Sequence, residues 1–360
     1  MRILLGILFI LILTYLMVWP TPVEPRAWEA PQSQGLTGDF APNERLAGVE
    51  TISIAPHFGP EDICKDANGQ LITVSKDGSL LRIDDAGIPT VLARLGGRPL
   101  GIELDKDGTI VVANAGVGLQ RVSSDGRVSI LARKFAGSPI RYADDVALGS
   151  DGIIYFSDAT SRFDPRKFGT LAASEMDILE HDPTGRILAY DPRTSQIQLL
   201  MDKLAFANGV AIDPNGEFLL VAETGKYRIL RHWLVGPRKG QTEVILENLP
   251  GFPDNINTGE DGRYWVGLVS PRVNFLDKFS GSPFIRKMAS RLPAAIKPKA
   301  TASSHLLAIN SSGDVLLSLQ SSHGPVHYIT GAFEDEQYIH LTNLKGELMG
   351  KLAKNTLGLQ

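Results

Sequence analysis

Apolar and polar positions alternate with period two over many short stretches of this chain. Each stretch is punctuated by a glycine turn, and that pattern predicts short β-hairpins. The clearest copy reads Asn208-Gly209-Val210-Ala211-Ile212, then Asp213-Pro214-Asn215-Gly216, then Glu217-Phe218-Leu219-Leu220-Val221-Ala222-Glu223. Asn-Gly suits a tight hairpin because both residues take positive φ at little cost. Six copies align on Gly69, Gly108, Gly152, Gly216, Gly262 and Gly313, at intervals of 39, 44, 64, 46 and 51 residues. Strand-turn-strand units repeating every 40–50 residues or so predict an all-β six-bladed β-propeller with four strands to a blade. The ring is expected to span residues 46–360. It should close by pairing the alternating stretch 49–54 with 337–342 and 348–349 near the other end.

Three regions break the pattern. Residues 3–19 form an unbroken apolar run of 17 residues after Arg2, at the short limit for a membrane span. No small-x-small cleavage site follows, so residues 1–19 are read as an uncleaved N-terminal anchor helix with its N-terminus cytoplasmic and the rest exported. A cleaved signal peptide is the alternative. Residues 20–45, rich in proline and polar residues, read as a spacer. The long interval between Gly152 and Gly216 predicts a loop with a short helix on the channel face within 160–179. Residues 271–300 carry seven basic residues and one acid, Asp277, interleaved with apolar ones. Such a basic amphipathic insertion suits an anionic membrane surface, a lid over the channel, or a solvated excursion.

The residue eight before each turn glycine begins the same strand in every copy. If that strand is innermost, Glu61, Leu100, Asp144, Asn208, Asp254 and His305 ring the channel mouth, and Asp62, Asp145 and Asn255 follow them. Carboxylates crowded in a channel need a counter-charge. A hard cation with six to eight oxygen ligands supplies it, and calcium suits a mixed carboxylate and amide set. No cysteine or multiple-histidine set points to zinc or copper. The plain alternative is that Asp and Asn at strand starts only satisfy turn backbone.

Composition narrows the reading. A net charge of −4 leaves no basic footprint for nucleic acid. Cys64 is the single cysteine, so no intrachain disulfide forms, and its place on an alternating strand marks it as core.

At these residues the chain resembles the strictosidine-synthase-like proteins, within a wider group of calcium-dependent six-bladed propellers that includes gluconolactonases and paraoxonases. The resemblance is carried by Arg98-Pro99-Leu100-Gly101-Ile102, by residues 177–186, by Phe206-Ala207-Asn208-Gly209-Val210, by Val221-Ala222-Glu223-Thr224, and by residues 249–256, and it runs from about residue 45 onward. It implies a catalytic calcium on Glu61, Asp144, Asn208, Asp254 and Asn255, and a second, structural calcium on Asp62 and Asp145. Asp144 stands where Asn is usual in the family. Leu100 stands where paraoxonases carry a histidine proposed as base, which argues against that mechanism. The resulting expectation is hydrolysis of a small-molecule ester or lactone, with Asp254 as candidate base and His305 or His323 as a proton shuttle. The alternatives are an amine–aldehyde condensation and a non-enzymatic, membrane-anchored binding propeller.

Overall fold

The computed structural model describes residues 1–293 and 295–359; Ala294, inside the basic insertion, and Gln360 lie outside the described residues. Six four-stranded antiparallel sheets form the blades. Their first strands are Ile63–Lys65, Arg98–Leu104, Ala143–Leu148, Ala207–Ile212, Gly251–Thr258 and Ile329–Glu334, in blades 1 to 6. These strands neighbour one another in sequence order, and the first also meets the last, so they line a closed ring. The second strands read as continuous apolar runs rather than alternating ones. Ile110–Ala115 and Phe218–Glu223 are buried throughout. Both faces of each blade are covered by a neighbour, so both sets of side chains must be apolar. The core therefore lies between blades: Leu220, Ile256, Tyr264 and Leu307 pack between blades 4 and 5, and Tyr155, Ile187, Val210 and Leu219 between blades 3 and 4. Cys64 is among these buried residues.

Ring closure follows the sequence expectation. Glu50–Ser53 pairs with Leu348–Ala353, placing Glu50 opposite Lys351 and Ser53 opposite Leu348. Blade 6 thus combines strands from both ends of the chain.

The sixth aligned copy requires a correction. His305 sits on Ser304–Ile309, the third strand of blade 5, and Gly313 turns between the third and fourth strands of that blade. The true sixth inner strand is Ile329–Glu334, whose following turn, Asp335-Glu336-Gln337, contains no glycine. A hairpin with the same local residues occupied a different place in the blade, because a turn sequence records a reversal and not which pair of strands reverses.

Among the described residues five α-helices accompany the ring. α1 is Arg2–Val18, α2 is Pro165–Phe168, α3 is Thr170–Glu180, α4 is Asn274–Lys278 and α5 is Pro283–Ser290. α2 and α3 fill the expected channel-face excursion of blade 3. α4 and α5 form the basic insertion, between the second and third strands of blade 5. α1 is a 17-residue helix with no buried side chain. Among the described residues no helix is long and apolar enough to cross a membrane. Residues 20–45 run as a strap over the propeller face. The Arg26 amide donates to the Glu180 carbonyl, and Leu46 to Gln320. Trp28 stacks on His181 with ring centroids 3.9 Å apart, and Arg272 reaches the Pro31 carbonyl. Arg286 of α5, fully buried, donates to the carbonyls of Leu179, Arg26 and Ser280 and so ties α3, the strap and the insertion into one roof.

Glycine is required where inner strands meet. A Cβ at Gly209 would collide with the backbone of Asp254 and Asn255–Ile256 in blade 5. Gly209→Ala should therefore destabilise the ring by about 1–3 kcal/mol in urea unfolding, whereas Gly48→Ala, with open space around it, should be nearly neutral. Equal stability of the two variants would contradict this packing.

Candidate functional site

The inner strands share a defect that builds the site. Their pairing register jumps between Pro99 and Ile102, Ala143 and Val146, Ala207 and Val210, Pro253 and Ile256, and Ile329 and Ala332. A bulge releases two residues from the ladder and redirects their side chains. The released pairs are Leu100-Gly101, Asp144-Asp145, Asn208-Gly209, Asp254-Asn255 and Thr330-Gly331. In blade 1 the equivalent pair, Glu61-Asp62, comes just before the strand.

In blades 1 to 5 the first member of the pair points into the mouth. Glu61, Leu100, Asp144, Asn208 and Asp254 line one cavity of about 340 Å³. All five are buried. Five of the six expected mouth positions are thus brought together. The sixth place belongs to Thr330, whose hydroxyl donates to the Glu61 carbonyl at 2.6 Å. His305 does not reach the cavity; its Nε2 lies 3.1 Å from Ser318 Oγ in the interior of blade 5. His323 is exposed beyond that blade.

The second members lie one step deeper and join the blades. Asp62 accepts from the Ile102 amide of blade 2 at 2.8 Å and from Asn257 at 3.1 Å. Asp145 accepts from the Val210 amide of blade 4 and from the Val146 amide, both at 2.8 Å. Asn255 donates to the Glu61 carbonyl at 3.3 Å. Each carboxylate oxygen of Asp62 and Asp145 accepts one donor from the protein, and the bonds to Ile102 and Val210 tie neighbouring blades together.

The mouth set is in a different condition. Glu61 Oε2, Asn208 Oδ1 and Asn255 Oδ1 are buried and lack any hydrogen-bond partner. Asn208 turns its amide nitrogen to Asp254 Oδ1, which leaves its own oxygen unpartnered. Burial pushes the Glu61 carboxyl well above its usual range, and Asp254, Asp144 and Asp62 push it further, against a smaller pull from Arg98. Burial and then Asp254 raise Asp144 in the same direction. Asp254 is raised by burial, which outweighs the hydrogen bond from Asn208 and the charge of Arg98. Arg98, buried at the start of blade 2, donates to the Gly59 carbonyl at 3.0 Å and keeps Nη2 unpartnered. One guanidinium does not balance three buried carboxylates.

Among the described residues no group of three or more His, Cys, Asp or Glu side chains stands close enough together to hold a metal ion unaided. The donors nevertheless fit a hard cation in kind. Part of the set is amide oxygen, three oxygens lack partners, and the excess charge is negative. Glu61, Asp144, Asn208 and Asp254, with Asn255 behind them, are the residues that would hold it.

Apolar side chains form the walls above this floor. Tyr142, Phe206 and Phe252 surround the mouth, α3 contributes Met176 and Leu179, and the strap contributes Val23. Arg98, Thr330 and the strap escaped the sequence reading. Arg98 sits two residues before Leu100, inside a stretch singled out for other reasons, and its charge was the available signal.

Comparison with known proteins agrees with this fold. The strictosidine synthase family model matches residues 144–237, and the strictosidine synthase-like N-terminal model matches 38–83. Among solved structures, a gluconolactonase from Xanthomonas campestris superposes with a TM-score of 0.63 at 17% identity, covering 93% of this chain and 99% of that one. The calcium-binding protein regucalcin from Agrobacterium tumefaciens does so with a TM-score of 0.60 at 14% identity, covering 85% and 93%. At these identities the likeness establishes the six-bladed fold. Adipocyte plasma membrane-associated protein from Rattus norvegicus is 31% identical over 367 residues, 95% of this chain and 96% of its own length. With that much of both chains in register, and with both strictosidine-synthase models matching, this protein belongs to the strictosidine-synthase-like family of β-propellers.

Proposed function

We propose that this protein is a calcium-dependent hydrolase of esters or lactones, acting at the channel mouth and held to a membrane by α1 with the propeller on the exported side. The observation that carries the reading is the buried, uncompensated set Glu61, Asp144, Asn208 and Asp254 at the floor of an otherwise apolar cavity. Similarity to a gluconolactonase and to a calcium-binding propeller supports it, as does a relative named for the plasma membrane.

Bound calcium would supply a Lewis acid for a carbonyl oxygen and would acidify a nearby water. The chain supplies the rest. Asn208 grips Asp254 Oδ1 and fixes the carboxylate plane, which leaves Oδ2 to take a proton from the attacking water. Burial raises the basicity of Asp254, the direction a general base needs. Arg98 offers positive charge beside Glu61 and Asp144. Phe206, Phe252 and Met176 exclude bulk water and favour a substrate with an apolar acyl or aryl group.

Two outcomes test this. Asp254→Asn should lower turnover of aryl esters or lactones by roughly 10²-fold or more, the range for a lost general base; unchanged turnover would remove Asp254 from that role. Chelation should abolish turnover while circular dichroism shows the fold retained. No turnover across a broad ester and lactone panel would favour a binding propeller, and product from an amine with an aldehyde would favour condensation.

Stability should respond to calcium as well. Calcium that binds only the folded state should raise stability by about 2.7 kcal/mol at one hundred times its Kd. Glu61→Gln removes one of several mutually repelling buried carboxylates. It should melt higher than the native protein without calcium and gain much less on calcium addition. A variant that melts lower without calcium, with an undiminished calcium response, would show that Glu61 is not a ligand.

A further inference from the structure

We propose that the outer face of the α4–α5 insertion rests on an anionic lipid surface, with the channel mouth turned toward the bilayer that receives α1. Four features converge. After Arg2, α1 is apolar around its circumference and buries no side chain, meeting α5 at its last turn, a condition that suits hydrocarbon and not water. Its C-terminal end is fixed to the insertion: Arg291 donates to the carbonyls of Leu16, at 2.8 Å, and Trp19, and the Tyr15 hydroxyl donates to the Arg291 carbonyl at 3.1 Å. Tyr15 and Trp19, with rings 5.3 Å apart, stand where aromatic side chains mark a membrane boundary. The bilayer edge therefore falls at the insertion.

The insertion's charges then divide into two groups. Arg272 pairs with Asp277, Arg286 is buried on carbonyls, Arg291 holds α1, and Lys287 pairs with Glu24. These four are structural. Lys278, Lys297 and Lys299 remain exposed, alongside Phe284 at 57% and Ile296 at 64% exposure. A segment that exposes three lysines and two large apolar side chains suits headgroups and acyl chains together. This excess is local, since the chain as a whole carries −4. Ser290 and residues 297–300 also border the cavity, so the lipid-facing surface and the entrance are continuous.

The test uses the full chain in vesicles and needs no turnover. Cys64 is buried, so a fluorophore can be placed selectively at Phe284→Cys, Ile296→Cys or Lys239→Cys. Lys239 is exposed on the turn joining the third and fourth strands of blade 4, at the end of the ring opposite the mouth. Brominated lipids should quench the labels at 284 and 296 at least twofold, more in phosphatidylserine-containing vesicles than in pure phosphatidylcholine, and leave the label at 239 untouched. Adding Lys278→Glu, Lys297→Glu and Lys299→Glu together should remove the phosphatidylserine dependence while the protein still floats with the vesicles. Labels at 284 and 296 that stay as aqueous as the one at 239 would overturn the proposal, as would quenching indifferent to lipid charge. Two label positions and a circular dichroism check guard against one variant misfolding.

Discussion

Burial of like charge is the constraint on which this structure turns. Three carboxylates, Glu61, Asp144 and Asp254, come from three different blades into one enclosed mouth. Such a group is held together only by something that resists its repulsion. The closed ring does so mechanically: blade 6 is stitched from both chain ends, and the blades cannot splay without opening the apolar seams between them. The deeper tier adds directional bonds, with Asp62 and Asp145 each accepting a backbone amide from the next blade. Carboxylates one residue apart thus divide the work. The lower ones each accept an amide from the next blade, while Glu61 Oε2 and the side-chain oxygens of Asn208 and Asn255 lack partners.

That division comes from the bulges. In a regular strand, successive side chains point to opposite faces and take part in blade packing. In blades 3, 4 and 5 the irregular step in the inner strand frees two residues at once, one to face the mouth and one to lie against the neighbouring blade. Where the second residue must pass close to the next strand it is glycine, as at Gly101 and Gly209. The same local device, used around the ring with different side chains, yields a floor whose composition can vary while its geometry stays fixed. Leu100 in blade 2 is one such variation, apolar where its neighbours are polar.

Much of this was legible in the sequence, for an identifiable reason. The turn glycines, the period and the oxygen-bearing residue at a fixed offset are local, repeated signals, and five of the mouth positions follow from them. Blade 6 failed the count because its inner turn lacks glycine and the residue at the equivalent register is Thr330, bonded to the Glu61 carbonyl. The hairpin at Gly313 offered a false substitute, and the insertion at 271–300 lengthened blade 5 until it resembled one blade and part of another. The strap at 20–45 was illegible because its partners, Glu180, Ser280 and Gln320 among them, are far away in the chain and carry no local mark. Arg286 shows the limit well: within a basic segment it reads as one more surface charge, yet it is the buried tie between α3, the strap and α5.

The proposed function rests on the upper tier holding a cation. Long-wavelength diffraction from crystals of the full chain grown with calcium addresses it directly. The account predicts one anomalous peak among the side-chain oxygens of Glu61, Asp144, Asn208 and Asp254. A peak only at Asp62 and Asp145, or none in the channel at saturating calcium, would contradict it.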